Sequence, residues 1–268
     1  MPLIAARIYS PEECVERAQA LLTVWPSAAE VMRSYTQLIQ YQCALLHSQL
    51  LSLKGEPGEL LENTDFAYFV EQFQEFLKSC EHFEQQNLAQ AARAVSAKSR
   101  DYLVDVLLQS WTDSDREEQS LELFFARAFW QAVLQSWARE CDAPASAAAP
   151  STCPYCGRRP VCGVLRPEGD GAKRSLVCSM CSTEWPYRRL ICPNCEQENV
   201  EQLPIYSAEQ CAYIRIEACD RCRTFIKTID LTKDGRAIPV VDEIASLPLT
   251  LWAEEKGYTK LQRNALLL

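Results

Sequence analysis

The sequence has no long hydrophobic run, since no stretch approaches the ~20 uninterrupted apolar residues that a membrane-spanning helix needs. Its start, MPLIAARIYSPEE, also lacks a basic segment followed by an apolar run of signal-peptide length. We therefore expect a cytoplasmic protein that does not insert into membranes.

Histidine is scarce, and acidic residues outnumber basic ones, 36 to 27. His47 and His82 are the only histidines, and both lie in predicted helices without neighbouring acidic or cysteine ligands. Surface or core roles are therefore expected for them rather than metal binding. The net charge of -9 and the pI near 5.0 argue against general adhesion to nucleic acid or anionic membranes.

Cysteine, in contrast, is abundant, with 14 residues in the chain. In a reducing compartment this content indicates thiolate metal ligation or redox chemistry rather than disulfides. Eight of the cysteines form four Cys-x-x-Cys motifs: CPYC at 153, CSMC at 178, CPNC at 192 and CDRC at 219. The others are most simply small apolar residues, including Cys14, Cys43, Cys80, Cys141 and, outside the motifs, Cys162 and Cys211.

Residues 1–142 have helical signals. Ser10-Pro11-Glu12-Glu13 is a capping box with proline at the first helical position, and apolar residues follow at helical spacing. Ser27 to Glu30 repeats the capping pattern, and further apolar stripes run over 66–77, 88–111 and 121–137. The sequence predicts a bundle of five or six helices, with its aromatic stripes in the core.

Residues 143–152 are rich in alanine and proline and are predicted to be a linker. Beyond them the helical period disappears, and residues 212–216 and 224–229 alternate apolar with polar side chains as strands do. Residues 232–268 are expected to form a helical tail, helical from Asp242 to Gly257, that folds back on the body.

Two Cys-x-x-Cys turns complete a tetrahedral metal shell, so four motifs predict two sites. The motifs can pair in sequential, crossed or nested order. Both halves of the region open with Cys-Pro-x-Cys, reach a second motif after a similar interval and place an aromatic residue just after it. This repetition favours tandem sites, with zinc as the commoner structural ion, and the predicted ligands are Cys153, Cys156, Cys178, Cys181 and Cys192, Cys195, Cys219, Cys222.

Three uses of these sites compete at this point. The ions can simply fold small modules, whereas a thiol-disulfide enzyme would need fewer motifs and a β-helix-β context. Residues 153–191 contain seven basic and three acidic residues. The basic side chains either offset the negative charge of the thiolates or contact an anionic partner such as nucleic acid. An all-sulfur shell has no open metal position, so we do not expect hydrolysis at the metal.

The segments CPYCGRRPV, LVCSMCSTEWPYRRLICPNCE, EACDRCRTFIKTIDL and DEIASLPLTLWAEEKGY together resemble the formate dehydrogenase accessory protein family, FdhE. The resemblance covers the cysteine-rich half and the tail. It implies an α+β multidomain fold, in which an N-terminal all-α helical bundle (1–142) precedes two tandem rubredoxin-like modules (153–191 and 192–231).

The resemblance also implies a function, that of an accessory protein that is not an enzyme and has no catalytic residue. Such a protein would bind the catalytic subunit of formate dehydrogenase in the cytoplasm, as a maturation chaperone needed for active enzyme, and would hold iron in its two four-cysteine sites, with zinc as the alternative. Glu184, Trp185 and Arg188 become candidates for partner binding. A rubredoxin-like electron carrier is the main alternative and a zinc-ribbon nucleic-acid binder the weaker one. No nucleic-acid partner is expected, and a homo-oligomer is compatible with the sequence.

Overall fold

The fold was determined as a computed structural model that describes residues 9–48, 53, 64–112, 120–141 and 150–266. The end of the second predicted helix, beyond residue 48, and most of the predicted linker lie outside these ranges. Within them, no helix is both long enough and apolar enough to cross a membrane.

Six helices make up the described part of the N-terminal half. Ser10 caps the first helix as predicted, because its hydroxyl accepts from the Glu13 amide and the Glu13 carboxylate accepts from the Ser10 amide. A 3-10 turn at Pro26–Ala28 precedes the second helix, which begins at Ala29. The helices are α1 Pro11–Leu21, α2 Ala29–Ser48, α3 Val70–Cys80, α4 Gln86–Ser96, α5 Arg100–Thr112 and α6 Leu121–Glu140.

The single apolar stripe seen over residues 88–111 is two helices. α4 ends at Ser96, where the amide of Ala97 turns back to the carbonyls of Arg93 and Val95. The Ser99 hydroxyl then accepts from the amide of Tyr102, which starts α5. A serine at this position competes for backbone hydrogen bonds and so favours a new helix start over continuation.

Helix α6 is the centre of the bundle. Twelve of its residues are buried, among them Phe125, Phe129 and Trp130, which are 0% exposed. It packs against α2, α4 and α5, and the aromatic residues of α3 meet Phe129 in tilted contacts. The aromatic stripes are therefore core, as expected from their helical spacing.

The cysteine-rich half forms one seven-stranded sheet. Six of its strands lie in the order β3-β2-β1-β6-β5-β4, while β7 pairs with β6. β1 runs parallel to β6, from Cys162 opposite Lys227 to Leu165 opposite Asp230, so strands from both predicted modules share the sheet. The strands are β1 Pro160–Glu168, β2 Gly171–Cys178, β3 Glu184–Pro186, β4 Ile205–Ser207, β5 Ile214–Cys219, β6 Thr224–Asp230 and β7 Thr259–Lys260.

The C-terminal segment holds two helices, α7 Pro239–Ala245 and α8 Leu247–Glu255, rather than one helix from Asp242 to Gly257. The break falls at Ser246, whose hydroxyl donates to the carbonyls of Asp242 and Glu243. Pro248 follows and has no amide to continue the helix. α7 packs on α1 and α2, and α8 covers one face of β5 and β6.

Buried charges attach this segment to the rest of the molecule. Asp242 is 0% exposed, and both of its carboxylate oxygens accept from Arg17 of α1, at 2.6 and 3.0 Å. The Glu243 carboxylate, also 0% exposed, meets Lys227 of β6 at 2.9 Å and Lys260 of β7 at 2.5 Å. The helical N-terminal region and the sheet with its two cysteine clusters confirm the predicted α+β architecture.

Candidate metal centres

The eight motif cysteines form two clusters in tandem order. Site 1 consists of Cys153, Cys156, Cys178 and Cys181, and site 2 of Cys192, Cys195, Cys219 and Cys222. Within each cluster the four sulfurs lie within 4.8 Å of one another. Each cluster could therefore hold one metal ion.

The sulfur separations match a metal shell rather than a disulfide. In site 1, Sγ of Cys156 lies 3.4 Å from that of Cys178 and 3.6 Å from that of Cys181. In site 2, the Cys195 and Cys219 sulfurs are 3.6 Å apart. A tetrahedron with metal-to-sulfur bonds of ~2.3 Å has edges of about 3.8 Å, whereas a disulfide bond is ~2.05 Å long. None of the fourteen cysteines, all of which lie in the described ranges, forms a disulfide.

Each cysteine motif folds into the same tight turn. The residue after the second cysteine has a positive φ in all four turns, at Gly157, Ser182, Glu196 and Arg223. This left-handed residue reverses the chain, and in three turns its amide donates to the carbonyl of the first cysteine: Gly157 to Cys153, Glu196 to Cys192 and Arg223 to Cys219. The turn aims both sulfurs of a motif at one point.

Backbone amides also point at the sulfurs. The Met180 amide donates to Sγ of Cys178, and the Asn194 amide to Sγ of Cys192, each at 3.4 Å. Such bonds stabilise thiolate, which is the form that binds metal. They are a feature of metal-binding cysteine turns that the sequence motif alone does not display.

Two threonines belong to the sites and were missed by the sequence analysis. The Thr183 hydroxyl lies 3.1 Å from Sγ of Cys181, and the Thr224 hydroxyl lies 3.0 Å from Sγ of Cys222. Both threonines stand two residues after the last cysteine of their module, in CSMCST and CDRCRT. The repeated Cys-x-x-Cys-x-Thr pattern was the signal that could have identified them.

The thiols differ in acidity before any ion is bound. Hydrogen bonds with the other three cysteines of site 1 hold the pKa of Cys156 well below its usual value. At Cys222 burial opposes ionisation, but hydrogen bonds with Thr224 and Asn194 outweigh it and lower the pKa to about 6. Each cluster thus contains one thiol that is already inclined to ionise, which favours metal entry at neutral pH.

The two sites have different surroundings. Site 1 lies in the same core as α6, where Tyr155 meets Trp137 edge to face, with ring centroids 6.3 Å apart. The side-chain amide of Gln131 donates to the carbonyl of Ser179, inside the second turn of site 1, at 3.1 Å. None of the four cysteines of site 2 belongs to that core. Two of them, Cys195 and Cys222, are partly exposed, whereas Cys156 alone is partly exposed in site 1.

The three partner-binding candidates have unlike positions. Trp185 is 1% exposed and donates to the carbonyl of Pro150, and the Glu184 carboxylate pairs with Arg166 at 2.7 Å. Arg188 alone of the three is open to solvent, with 69% of its side chain exposed, and it meets Glu198 at 3.2 Å. Arg188 is therefore the one best placed to meet a partner.

Cys162 and Cys211 lie outside both clusters. Cys162 is 0% exposed in the apolar cluster of β1, β2 and β6, and burial raises the pKa of its thiol. Cys211 is 1% exposed, and burial raises its pKa to about 11. Both behave as small core residues in this arrangement.

Comparison with known proteins agrees with these features. Residues 152–189 match the model "FdhE, central domain" and residues 190–267 match "FdhE, C-terminal domain". A protein FdhE homolog of Aquifex aeolicus is 28% identical over 94% of both chains. These matches identify residues 152–267 as the central and C-terminal domains of the FdhE family.

Other relatives match over shorter or more divergent alignments. Protein FdhE of Escherichia coli is 36% identical over 43% of this chain and 37% of its own. The crystal structure of the FdhE protein from Pseudomonas aeruginosa superposes with a TM-score of 0.78, at 22% identity, and covers 100% of this chain and 99% of that one. The structural match shows that the whole fold, including the helical half, is shared.

Proposed function

We propose that this protein is a cytoplasmic accessory protein of the FdhE family that binds the catalytic subunit of formate dehydrogenase and is needed for the active enzyme. The observation that carries the proposal is the pair of four-sulfur clusters, each of which one metal ion would complete. They lie in a fold that is shared along its full length with an FdhE protein. A metal ion with four cysteine ligands stabilises the fold around it and has no open coordination position for a substrate. The protein therefore does not turn over formate.

The eight cysteines are proposed as the metal ligands, with one ion in each site. The sulfur separations, the amide-to-sulfur hydrogen bonds and the left-handed turns all suit a tetrahedral thiolate shell. Iron is the ion that the family resemblance favours, and zinc is the alternative because a shell of four cysteine thiolates suits both. Anaerobic absorption spectra distinguish them, since only iron gives thiolate charge-transfer colour.

A cytoplasmic location is supported by the state of the cysteines. None of the fourteen forms a disulfide, and eight are grouped at metal-binding rather than disulfide separations. Thiols in this number persist in reducing compartments and oxidise elsewhere. The proposed encounter with the formate dehydrogenase subunit accordingly takes place before that subunit leaves the cytoplasm.

The described ion pairs support a protein partner rather than a nucleic acid. In the basic first module Arg166 is paired with Glu184, Arg174 with Glu217 and Lys173 with Glu168. These pairs reduce the positive field of the module, and a nucleic-acid binder would use unpaired cations along one face.

Co-purification and complementation test the function together. The full chain serves as bait for the catalytic subunit, and formate dehydrogenase activity is measured in a strain that lacks the gene. We expect the subunit on the bait and an inactive enzyme in the strain, restored by the wild-type gene. Normal activity in the strain, with no subunit recovered, would reject the proposal.

One observation favours an electron carrier as the second candidate. Cys195 and Cys222 leave site 2 partly open to solvent, as a site that exchanges electrons requires. An iron-loaded protein that cycles reversibly at a defined potential, together with normal formate dehydrogenase in the deletion strain, would favour this second function.

A further inference from the structure

A groove lies on one face of the sheet, beside site 2. Residues Ile205 of β4, Glu217 of β5 and Ile226 of β6 are opposite one another in the strand registers and so share that face. The connection between the two cysteine modules, residues 189–193, forms the facing wall. The groove encloses a cavity of about 50 Å³.

The groove exposes apolar side chains that nothing in the described chain covers. Leu190 is 49% exposed and Ile205 is 47% exposed, and both line the cavity. The other face of the same strands is covered, because Tyr206 packs against Trp252 of α8 with ring centroids 4.9 Å apart. Exposed aliphatic side chains around a concave surface mark interaction sites more often than isolated surface ones do.

Leu190 also has an unusual backbone. Its φ is +57°, in the left-handed region where glycine or asparagine is the ordinary choice and a branched side chain is strained. A glycine would relieve the strain and would also remove the side chain from the groove. Strained residues of this kind concentrate at functional sites, and this one keeps an apolar side chain at the rim.

The strand beside the groove has a free edge. β4 is the last strand in the order, so no described strand pairs with its outer side. The Ala218 amide donates to the Pro204 carbonyl, and by antiparallel alternation the backbone groups of Ile205 and Ser207 face outward. Proteins often place charged side chains on an edge strand, which discourages pairing with another chain. β4 is a strand of three residues, Ile-Tyr-Ser, and contains no charged side chain.

The charges of the groove specify what it accepts. Three guanidiniums, of Arg174, Arg189 and Arg215, line it together with one carboxylate, of Glu217. Glu217 accepts from Arg174 and from Arg215, both at 2.6 Å, and the guanidiniums of the lining outnumber its carboxylates by three to one. Arg174 is 2% exposed, and its Nε has no hydrogen-bond partner among the described residues. A buried donor without a partner calls for an acceptor.

We propose that this groove docks an extended segment of the protein partner. The segment adds to the free edge of β4, places one branched aliphatic side chain between Leu190 and Ile205, and brings a neighbouring carboxylate to Arg174 and Arg189. A cavity of about 50 Å³ exceeds the volume that a single water molecule needs, so it has room for the end of one branched aliphatic side chain. Backbone pairing supplies affinity and the pocket supplies selectivity, as in other strand-addition complexes.

Site 2 holds the walls of this groove in place. Cys192 and Cys219 both line it, and they belong to opposite walls, the module connection and the end of β5. An ion bound by both would fix the distance between the walls. The proposal rests on the proposed function for the identity of the partner, but the groove can be tested without that partner.

The first test measures binding of a synthetic probe to the full chain by fluorescence anisotropy. The probe is a labelled nonapeptide of alternating threonine and valine with a central leucine followed by aspartate. We expect saturable binding that weakens about tenfold or more in Leu190→Gly and Ile205→Asp, or when the probe's leucine becomes serine. Leu251→Asp is the matched control, since Leu251 is 51% exposed on α8 and lies outside the groove.

Leu190→Gly separates a docking role from a structural one. If the side chain only supports the fold, the variant loses thermal stability along with binding; if it docks a partner, binding falls while the melting temperature holds or rises. Absence of probe binding to the wild-type chain, or equal binding by Leu190→Gly and Leu251→Asp, overturns the groove proposal.

The second test uses the proposed partner. Co-purification of the formate dehydrogenase catalytic subunit is compared for wild type, Ile205→Asp and Leu251→Asp. Recovery on wild type and Leu251→Asp but not on Ile205→Asp supports docking in the groove. Equal recovery on all three overturns the groove proposal and leaves the proposed function standing, whereas probe binding without recovery of the subunit on any bait overturns the partner and not the groove.

Discussion

Sites 1 and 2 each consist of four cysteines, but the residues that surround them differ. Three of the site 1 cysteines are at most 3% exposed and lie in the core that α6 organises, whereas two of the site 2 cysteines are partly exposed. Site 1 is thus part of the junction between the two halves of the chain, and site 2 lies toward the far end of the sheet. An ion at site 1 would hold the two halves together, whereas an ion at site 2 would hold only the local turns.

Replacing two cysteine ligands should destabilise different parts of the protein at the two sites, and this is the largest effect that we expect. Cys178→Ser/Cys181→Ser should lose its ion and much of the packing against α6, because structural metal binding contributes ~10 kcal/mol or more of folding free energy. Cys219→Ser/Cys222→Ser should lose one ion and keep the helical bundle. Far-ultraviolet circular dichroism during thermal unfolding measures the difference; equal loss of helix in both variants would contradict the contrast.

Glu243 joins α7 to β6 and β7 through two buried ion pairs. Glu243→Gln leaves Lys227 and Lys260 without a buried counter-charge, and it should destabilise the protein by about 3 to 5 kcal/mol. Chemical denaturation at pH 7 measures this loss. Glu198→Gln is the control, since the Glu198 side chain is 61% exposed in its pair with Arg188.

The same residue predicts a pH dependence. Burial would raise the pKa of Glu243, but Lys227 and Lys260 outweigh it and lower the pKa from 4.5 to about 2. As the pH falls, Glu243 is therefore protonated in the unfolded chain before it is protonated in the folded protein. The stability that Glu243 contributes is present above pH 4.5 and is lost as the pH falls toward 2. The stability gap between wild type and Glu243→Gln should shrink over that range; a gap that widens would show that the sign is wrong.

Gly163 lies where β1 of the first module pairs with β6 of the second. A side chain there would fall 3.4 Å from Cβ and Cγ2 of Thr228 and closer still to its hydroxyl. Gly163→Ala should therefore cost about 1 to 3 kcal/mol of stability. Thr228→Ala in the same chain should recover part of the loss. No recovery would place the clash elsewhere.

The two threonines allow a small matched comparison of the sites. Thr183→Val and Thr224→Val each remove one hydroxyl from a cysteine sulfur while they keep the side-chain shape. Loss of such a partner should weaken metal affinity by about tenfold. Competition with a chelator should show a larger loss at site 2, because Thr183 is 1% exposed in the packed core and Cys222 is partly exposed. A larger loss at site 1 would reverse the assignment of roles.

Local patterns predicted much of this structure. The capping box at Ser10, the helical stripes and the repeat of Cys-Pro-x-Cys depend on residues that are close in sequence, so periodicity and spacing expose them. The tandem grouping of the eight cysteines followed from that repeat.

The missed features depend on distant residues. The parallel pairing of β1 with β6 joins segments about sixty residues apart in sequence, and nothing in either strand specifies that register. Asp242 and Glu243 carry no local signal of burial in the sequence, yet each is 0% exposed beside cations supplied by other elements. The split between α4 and α5 was missed because apolar spacing continued across Ser99.

The metal content of the full chain, purified without oxygen, tests the central claim most directly. The account predicts two ions per wild-type chain, one in Cys178→Ser/Cys181→Ser, one in Cys219→Ser/Cys222→Ser and none when all four substitutions are combined. One ion per wild-type chain, or two ions retained in either double variant, would contradict the assignment of the eight cysteines to two independent sites.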